Sequence, residues 1–149
     1  MDAAFAWVEH LRETAVVEAD GSPGARSTAW APSFARLRLE DPGRIVLWAN
    51  RQGGFRVSCP IVGAPVREPW EAALTAWRTG DARPDAVRFR CPACGAEHAL
   101  TEVGAAPPLA FAPWGLVTAD VGGPDLAPGA LAAAEAALGP LAAVLRRGG

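Results

Sequence analysis

Two segments, FRVSCPIVGAPV (Phe55 to Val66) and VRFRCPACGAEH (Val87 to His98), align without a gap as apolar-Arg-apolar-polar-Cys-Pro-x-x-Gly-Ala. Each reads as a short strand running into a tight turn. Polar and apolar residues alternate up to the cysteine, and a glycine follows where a knuckle needs a positive φ. This repeat constrains the fold more than any other feature, because two such units predict a pair of knuckles facing each other. The second copy carries two thiols, Cys91 and Cys94, whereas the first carries Cys59 and has Val62 where its second thiol would fall. Two thiolates on one knuckle, with backbone N–H groups turned toward sulfur, make half of a tetrahedral zinc site.

Three thiols leave one coordination position to fill. His98, four residues after Cys94, is the first candidate. An extended run over residues 96–100, at roughly 3.3 Å per residue, would carry its ring away from the knuckle and leave water as the alternative fourth ligand. His10 and Glu97 are weaker candidates, since nothing in the sequence places either beside the knuckles. The expected ligand set is therefore Cys59, Cys91, Cys94 and His98, with zinc as the cofactor. The opposing reading is a ribbon without metal, in which Val62 packs apolarly and the cysteines act as small buried hydrophobes.

Around the repeat the pattern is α+β. Asp2 can cap a first helix with Phe5, Val8, Leu11 and Ala15 at helical spacing, and the tail AVVEA can extend as a strand. FARLRLE, RIVLWA and the run from Phe55 to Cys59 read as three strands of an antiparallel meander, turned at Asp41-Pro42-Gly43 and at NRQGG. PWEAALTAWRT, 69–79, is an amphipathic helix with Trp70, Ala73, Leu74 and Trp77 on one face and Gly80 as its stop. Val87 to Cys91 and HALTEV are the strands flanking the second knuckle. GAAPPLAFAPWG reads as a loop, LVTAD as a short strand, and the Ala-rich run from Pro128 as a helix that Gly139-Pro140 ends. LAAVLRR then reads as a closing strand, or as the far arm of a helix kinked at Pro140. With 149 residues, half of them apolar, the chain is expected to be one domain. Within it, 1–33 is an N-terminal helix and loop, 34–103 the meander and zinc-ribbon-like core, and 104–149 a loop, helix and closing strand.

All 14 basic residues are Arg and the net charge is −2, so the chain as a whole lacks the electrostatic footprint of a general nucleic-acid binder. Charge is uneven, with ten Arg against six acids between Phe34 and Arg90 and acidic flanks on both sides. Arg36, Arg38, Arg56, Arg88 and Arg90 would line one cationic face if their strands share a sheet, or else simply be its solvated side. Trp48 is expected in the core, and Trp114, in a Pro-rich loop, is a candidate exposed anchor for a partner. The N-terminus lacks a basic n-region and an apolar h-region, and no apolar run reaches the roughly 18–20 residues that span a bilayer. A cytoplasmic protein with reduced thiols and no membrane partner is the expectation.

Paired CPxCG knuckles, a Trp-containing segment ending W-x-x-G between them, and PPLAFAPWGL after them resemble small uncharacterised bacterial zinc-ribbon proteins. The likeness spans about Phe55 to Arg147 and rests on the knuckles, Trp70, Trp77, Pro107, Pro108, Phe111 and Gly115. It departs at Val62 and at LVTADVGG, and it implies architecture without activity. No G-x-S-x-G, phosphate-binding glycine loop or H-E-x-x-H occurs, and two histidines offer few carriers for acid–base chemistry. The expected function is a non-catalytic binding or interaction module, of adaptor or immunity type, with another protein as partner. Nucleic-acid binding through the arginine face and a small zinc- or cysteine-dependent enzyme are the alternatives.

Overall fold

The structure, a computed structural model, describes residues 1–123 and 125–144. It is α+β, with helices α1 (Asp2–Glu13), α2 (Arg67–Thr79) and α3 (Ala130–Leu138). Its eight short strands are β1 (Arg36–Glu40), β2 (Val46–Trp48), β3 (Arg56–Ser58), β4 (Arg88–Arg90), β5 (Glu97–Ala99), β6 (Gly104–Ala106), β7 (Ala110–Ala112) and β8 (Gly115–Ala119). They pair in nested order as β1 with β8, β2 with β7, β3 with β6 and β4 with β5. The first, third and fourth pairs are antiparallel.

The nesting overturns the expected meander. β1, β2 and β3 lie where alternation put them, but none pairs with another. Each instead finds its partner after the second knuckle: β2 and β3 pair with β7 and β6 in the segment read as a loop, and β1 pairs with β8, which falls on the short strand expected at LVTAD. GAAPPLAFAPWG supplies β6 and β7 because a ladder needs only backbone N–H and C=O groups, which its small alanines leave accessible although their β-propensity is low. The turn at Asp41-Pro42-Gly43 does form, with Gly43 at φ +70° and its N–H donating to Asp41 Oδ1 at 2.9 Å, but it does not close a hairpin.

The chain divides into two compact units, crossing from one to the other on β2, between Val46 and Leu47, and returning on β7, between Phe111 and Ala112. The first unit holds α1, the β1–β8 ladder and α3. Its core gathers Val8, Leu11, Val16, Val17, Trp30, Phe34, Leu37, Ala130 and Ala134. In α1 the inward stripe is Ala4, Val8 and Leu11, and Phe5, expected on that stripe, is 55% exposed. Asp2 lies in the first turn of α1 without a capping hydrogen bond, where its charge still suits the positive end of the helix dipole. Val16 and Val17 are buried, but they contribute only a bridge from Val17 to Pro23 and no strand. α3 ends at Leu138, before Gly139 at φ +83°. Residues 141–144 carry no strand, and the remainder of the expected closing strand lies outside the described residues.

The second unit, residues 47–111 with 142–144, contains both knuckles and α2. α2 starts two residues before Pro69 and stops at Gly80, with Trp70, Ala73 and Leu74 inward as its periodicity requires. Trp70 is the centre of this core. Only 1% exposed, it donates its indole N–H to the Leu100 carbonyl at 2.9 Å and meets Phe55 edge to face at 5.9 Å. Trp77 makes the same kind of contact with Phe111 at 5.2 Å. Trp48 is buried, as expected. No helix among the described residues is long and apolar enough to cross a membrane. Trp70→Ala removes the largest fully buried side chain and strands a carbonyl, so a loss of about 3–5 kcal/mol is expected in denaturant titration. Phe5→Ala should change stability by less than about 0.5 kcal/mol in the same experiment.

Candidate metal centre

The two knuckles fold alike because their sequences do. In the first, Cys59 N–H donates to Ala64 O at 2.8 Å and Gly63 N–H to Cys59 O at 2.9 Å. In the second, Cys91 N–H donates to Ala96 O at 2.9 Å and Gly95 N–H to Cys91 O at 2.8 Å. Gly63 and Gly95 sit at φ +70° and +74° with nothing within 4 Å of a Cβ placed there. Backbone conformation, and not space, therefore demands glycine at both positions. β3 delivers Cys59, and the β4–β5 hairpin delivers Cys91, Cys94 and His98.

Four donor atoms meet. The ligand atoms of Cys59, Cys91, Cys94 and His98 all lie within 4.8 Å of one another, close enough to hold a metal ion. Cys59 Sγ is 3.7 Å from Cys94 Sγ and 3.5 Å from His98 Nε2, and Cys94 Sγ is 3.6 Å from the same nitrogen. His98 does stand on a strand, yet it is not carried away. The left-handed turn at Gly95 brings β5 back beside β4, pairing His98 with Phe89 in register, their rings 5.8 Å apart. The imidazole is thus buried, at 5% exposure, on the side where the thiols lie. Cys59 and Cys91 are buried and Cys94 is half-buried.

Val62 takes no part in the cluster. It and Ile61 form the tip of the first knuckle, 53% and 67% exposed, so Val62 does not pack apolarly within the ribbon. The weaker ligand candidates lie elsewhere. Glu97 is exposed and 3.7 Å from Arg90, and His10 stacks on Trp7 in the first unit.

The arginines do not share a sheet. Arg36 and Arg38 stand on β1, paired with β8, whereas Arg56 lies on β3 and Arg88 and Arg90 on β4, strands that do not pair with each other. Arg38 bonds to Glu40 at 2.8 Å, Arg88 lies 3.7 Å from Glu102, and Arg90 donates to the Gly95 carbonyl at 2.7 Å. Arg90 therefore braces the second knuckle. Glu102, which the sequence reading passed over, closes the far end by accepting the Ala99 N–H at 2.8 Å. No periodicity marks such a residue, since it acts through one backbone bond. Trp114, read as an exposed anchor, is half-buried.

No protein-family model, curated protein or solved structure matches this chain. What the site can do follows from its own electrostatics. Burial opposes ionisation of Cys59, but the backbone N–H groups of Val62 and Ile61 and the thiols of Cys91 and Cys94 outweigh it and hold its pKa down to about 6. The Ala96 N–H favours the Cys94 thiolate, but burial and the neighbouring Cys59 and Cys91 push that thiol above its usual value. One negative sulfur thus stands ready near neutral pH and the others follow when a cation arrives. A depressed folded-state pKa stabilises the metal-free fold fully above the ordinary thiol value of 9.0, and that contribution is lost as pH falls through about 6. In a pH titration of metal-free protein followed by thiolate ultraviolet absorbance, one thiol should ionise near pH 6 and vanish in Cys59→Ser.

Proposed function

We propose that this chain is a non-catalytic, zinc-ribbon-like interaction module whose knuckles are locked together by one structural zinc ion. The observation that carries the reading is the complete donor set, three thiols and one imidazole. Zinc bonds of about 2.3 Å to sulfur and about 2.0–2.1 Å to nitrogen, arranged tetrahedrally, put sulfurs about 3.8 Å apart and sulfur about 3.6 Å from nitrogen. The separations of 3.7, 3.5 and 3.6 Å among Cys59, Cys94 and His98 match that geometry, and the Cys91 sulfur lies within 4.8 Å of each of them. Soft thiolates with one imidazole suit zinc better than magnesium or calcium, which take oxygen ligands.

Catalytic zinc keeps one position open for water, whereas structural zinc is enclosed by four protein ligands. Here the protein fills all four, and the ion would supply folding energy and no Lewis-acid step. The tip that lost its ligand residue turns Ile61 and Val62 outward, and an exposed apolar pair beside a rigid centre suits protein contact better than nucleic-acid contact. The dispersal of the arginines over separate strand pairs, several of them paired with acids, favours the same choice.

Elemental analysis of protein purified without chelator is expected to find a single zinc per chain. His98→Ala and Cys94→Ser should each lower affinity by about 10-fold or more and depress the melting temperature in parallel. Val62→Cys should leave the stoichiometry at one. Undiminished zinc in His98→Ala would mean that water serves as the fourth ligand, and the structural reading would fail.

A further inference from the structure

The three thiols of the metal centre are unequally exposed. Cys91 is 0% exposed and Cys59 2%, whereas Cys94 is half-buried and so partly open to solvent. A small oxidant in water therefore reaches Cys94 first, because oxidation of a thiolate depends on access as well as on charge. Cys59 Sγ stands 3.7 Å away on the facing knuckle, 35 residues earlier in the chain. A disulfide is about 2.05 Å long, so the two sulfurs need to close by only about 1.7 Å. Cys91 is worse placed to resolve an oxidised Cys94. It shares one tight turn with Cys94, fixed by Cys91 N–H to Ala96 O at 2.9 Å and Gly95 N–H to Cys91 O at 2.8 Å, and a bond between the two would have to form inside it.

We propose that this centre is a redox switch, in which hydrogen peroxide converts Cys59 and Cys94 to a disulfide, expels the ion and loosens the tip formed by Ile61 and Val62. The inference rests on the zinc reading above and adds regulation to it. Cys94 Sγ attacks one peroxide oxygen, the S–O bond forms as the O–O bond breaks, and the departing hydroxide takes a proton from solvent to leave as water. Cys59 Sγ then attacks Cys94 Sγ, the S–S bond forms as the S–O bond breaks, and a second hydroxide leaves as water in the same way. Two thiolates lose two electrons in all, the peroxide gains them, and two protons are taken up.

Cys91 and His98 are then the only donors left of the four, too few to retain zinc. The effect passes to the surface through one hydrogen bond. Ile61 N–H donates to Cys59 Sγ at 3.4 Å, which fixes the exposed tip to the centre. A disulfide sulfur is neutral and a poorer acceptor than a thiolate, so that bond weakens on oxidation. The new covalent link meanwhile ties the knuckle after β3 to the one between β4 and β5, so the two stay joined without the ion. Oxidation thus alters the apolar contact surface and leaves the ribbon folded.

The test treats the zinc-loaded full chain with hydrogen peroxide and follows three readouts: zinc released to a chromogenic chelator, intact mass after thiol alkylation, and the amide signals of Ile61 and Val62 in proton–nitrogen NMR. Release of roughly one zinc per chain is expected, together with a mass showing one disulfide and one alkylated thiol. Fragmentation of the linked tryptic peptides should join Cys59 to Cys94 and place the alkyl group on Cys91. The Ile61 and Val62 amides should shift while those of α2 stay in place, and dithiothreitol with added zinc should restore the starting spectrum. Cys59→Ser should lose the cross-knuckle disulfide. Because that variant also lacks a zinc ligand, the disulfide mapped in the parent protein decides the pairing. A Cys91–Cys94 disulfide, sulfinic acid without a disulfide, zinc retained with all three thiols alkylatable, or unmoved Ile61 and Val62 amides would each overturn the proposal. Protein that carries no zinc before peroxide is added would instead defeat the zinc reading, and the mapped disulfide would still decide which sulfurs pair.

Discussion

The left-handed turn at Gly95 is the constraint on which the metal centre depends. With φ at +74° the chain reverses immediately after Cys94, Cys91 N–H closes on Ala96 O, and β5 returns along β4. That reversal puts His98 opposite Phe89 and within reach of two sulfurs, at 3.5 and 3.6 Å. Any residue with a Cβ would be strained there, and an extended alternative would spread Cys94 and His98 along the strand instead of gathering them. The same turn at Gly63 presents Cys59 from the other side. Two glycines thus position four donors.

Because the second knuckle supplies three of the four donors, the first needs to supply one. Val62 is free of any ligand duty, and the tip it shares with Ile61 is open to solvent. The donor set is therefore asymmetric, three from the second knuckle and one from the first. The neighbouring charges reinforce the frame more than they advertise a binding face. Arg90 holds the Gly95 carbonyl, Glu102 holds the Ala99 N–H, and Arg67 bonds to Glu71 and lies over the Phe55 ring.

The ribbon rests on a core of its own. Trp70, Val66, Leu100 and Cys91 are the largest fully buried side chains, so a ligand thiol is also a packing residue. Cys59 and Cys91 are buried in the same cluster as Trp70 and Phe89, with Cys94 half-buried against it, and burial strengthens the charge interactions of those two sulfurs. The other unit is organised differently, with two helices against one five-residue ladder and a cleft between aromatic walls.

Much of this was legible from the residues. Alternation located β1, β3 and β4, helical spacing located α2 with its Trp70 face, and the internal repeat located both knuckles and three thiols. These are local properties, set by φ preferences and by which side of an element is apolar. The pairing of strands was not legible, because backbone donors and acceptors are the same for every residue and alternation specifies a face without specifying a partner. The Ala- and Gly-rich β6 and β7 became strands only because β3 and β2 were there to pair with them. Phe5 faces solvent because α1 buries Ala4 with Val8 and Leu11, an i, i+4, i+7 stripe that the spacing also allowed. His98 could be named from its spacing after Cys94, but the sequence could not say whether a strand would carry it off. The sequence determined the glycine turns and the thiols they present, and tertiary closure of β5 onto β4 decided that the His98 imidazole stands within 3.6 Å of two of those sulfurs, because strand pairing is set by backbone groups that every residue shares.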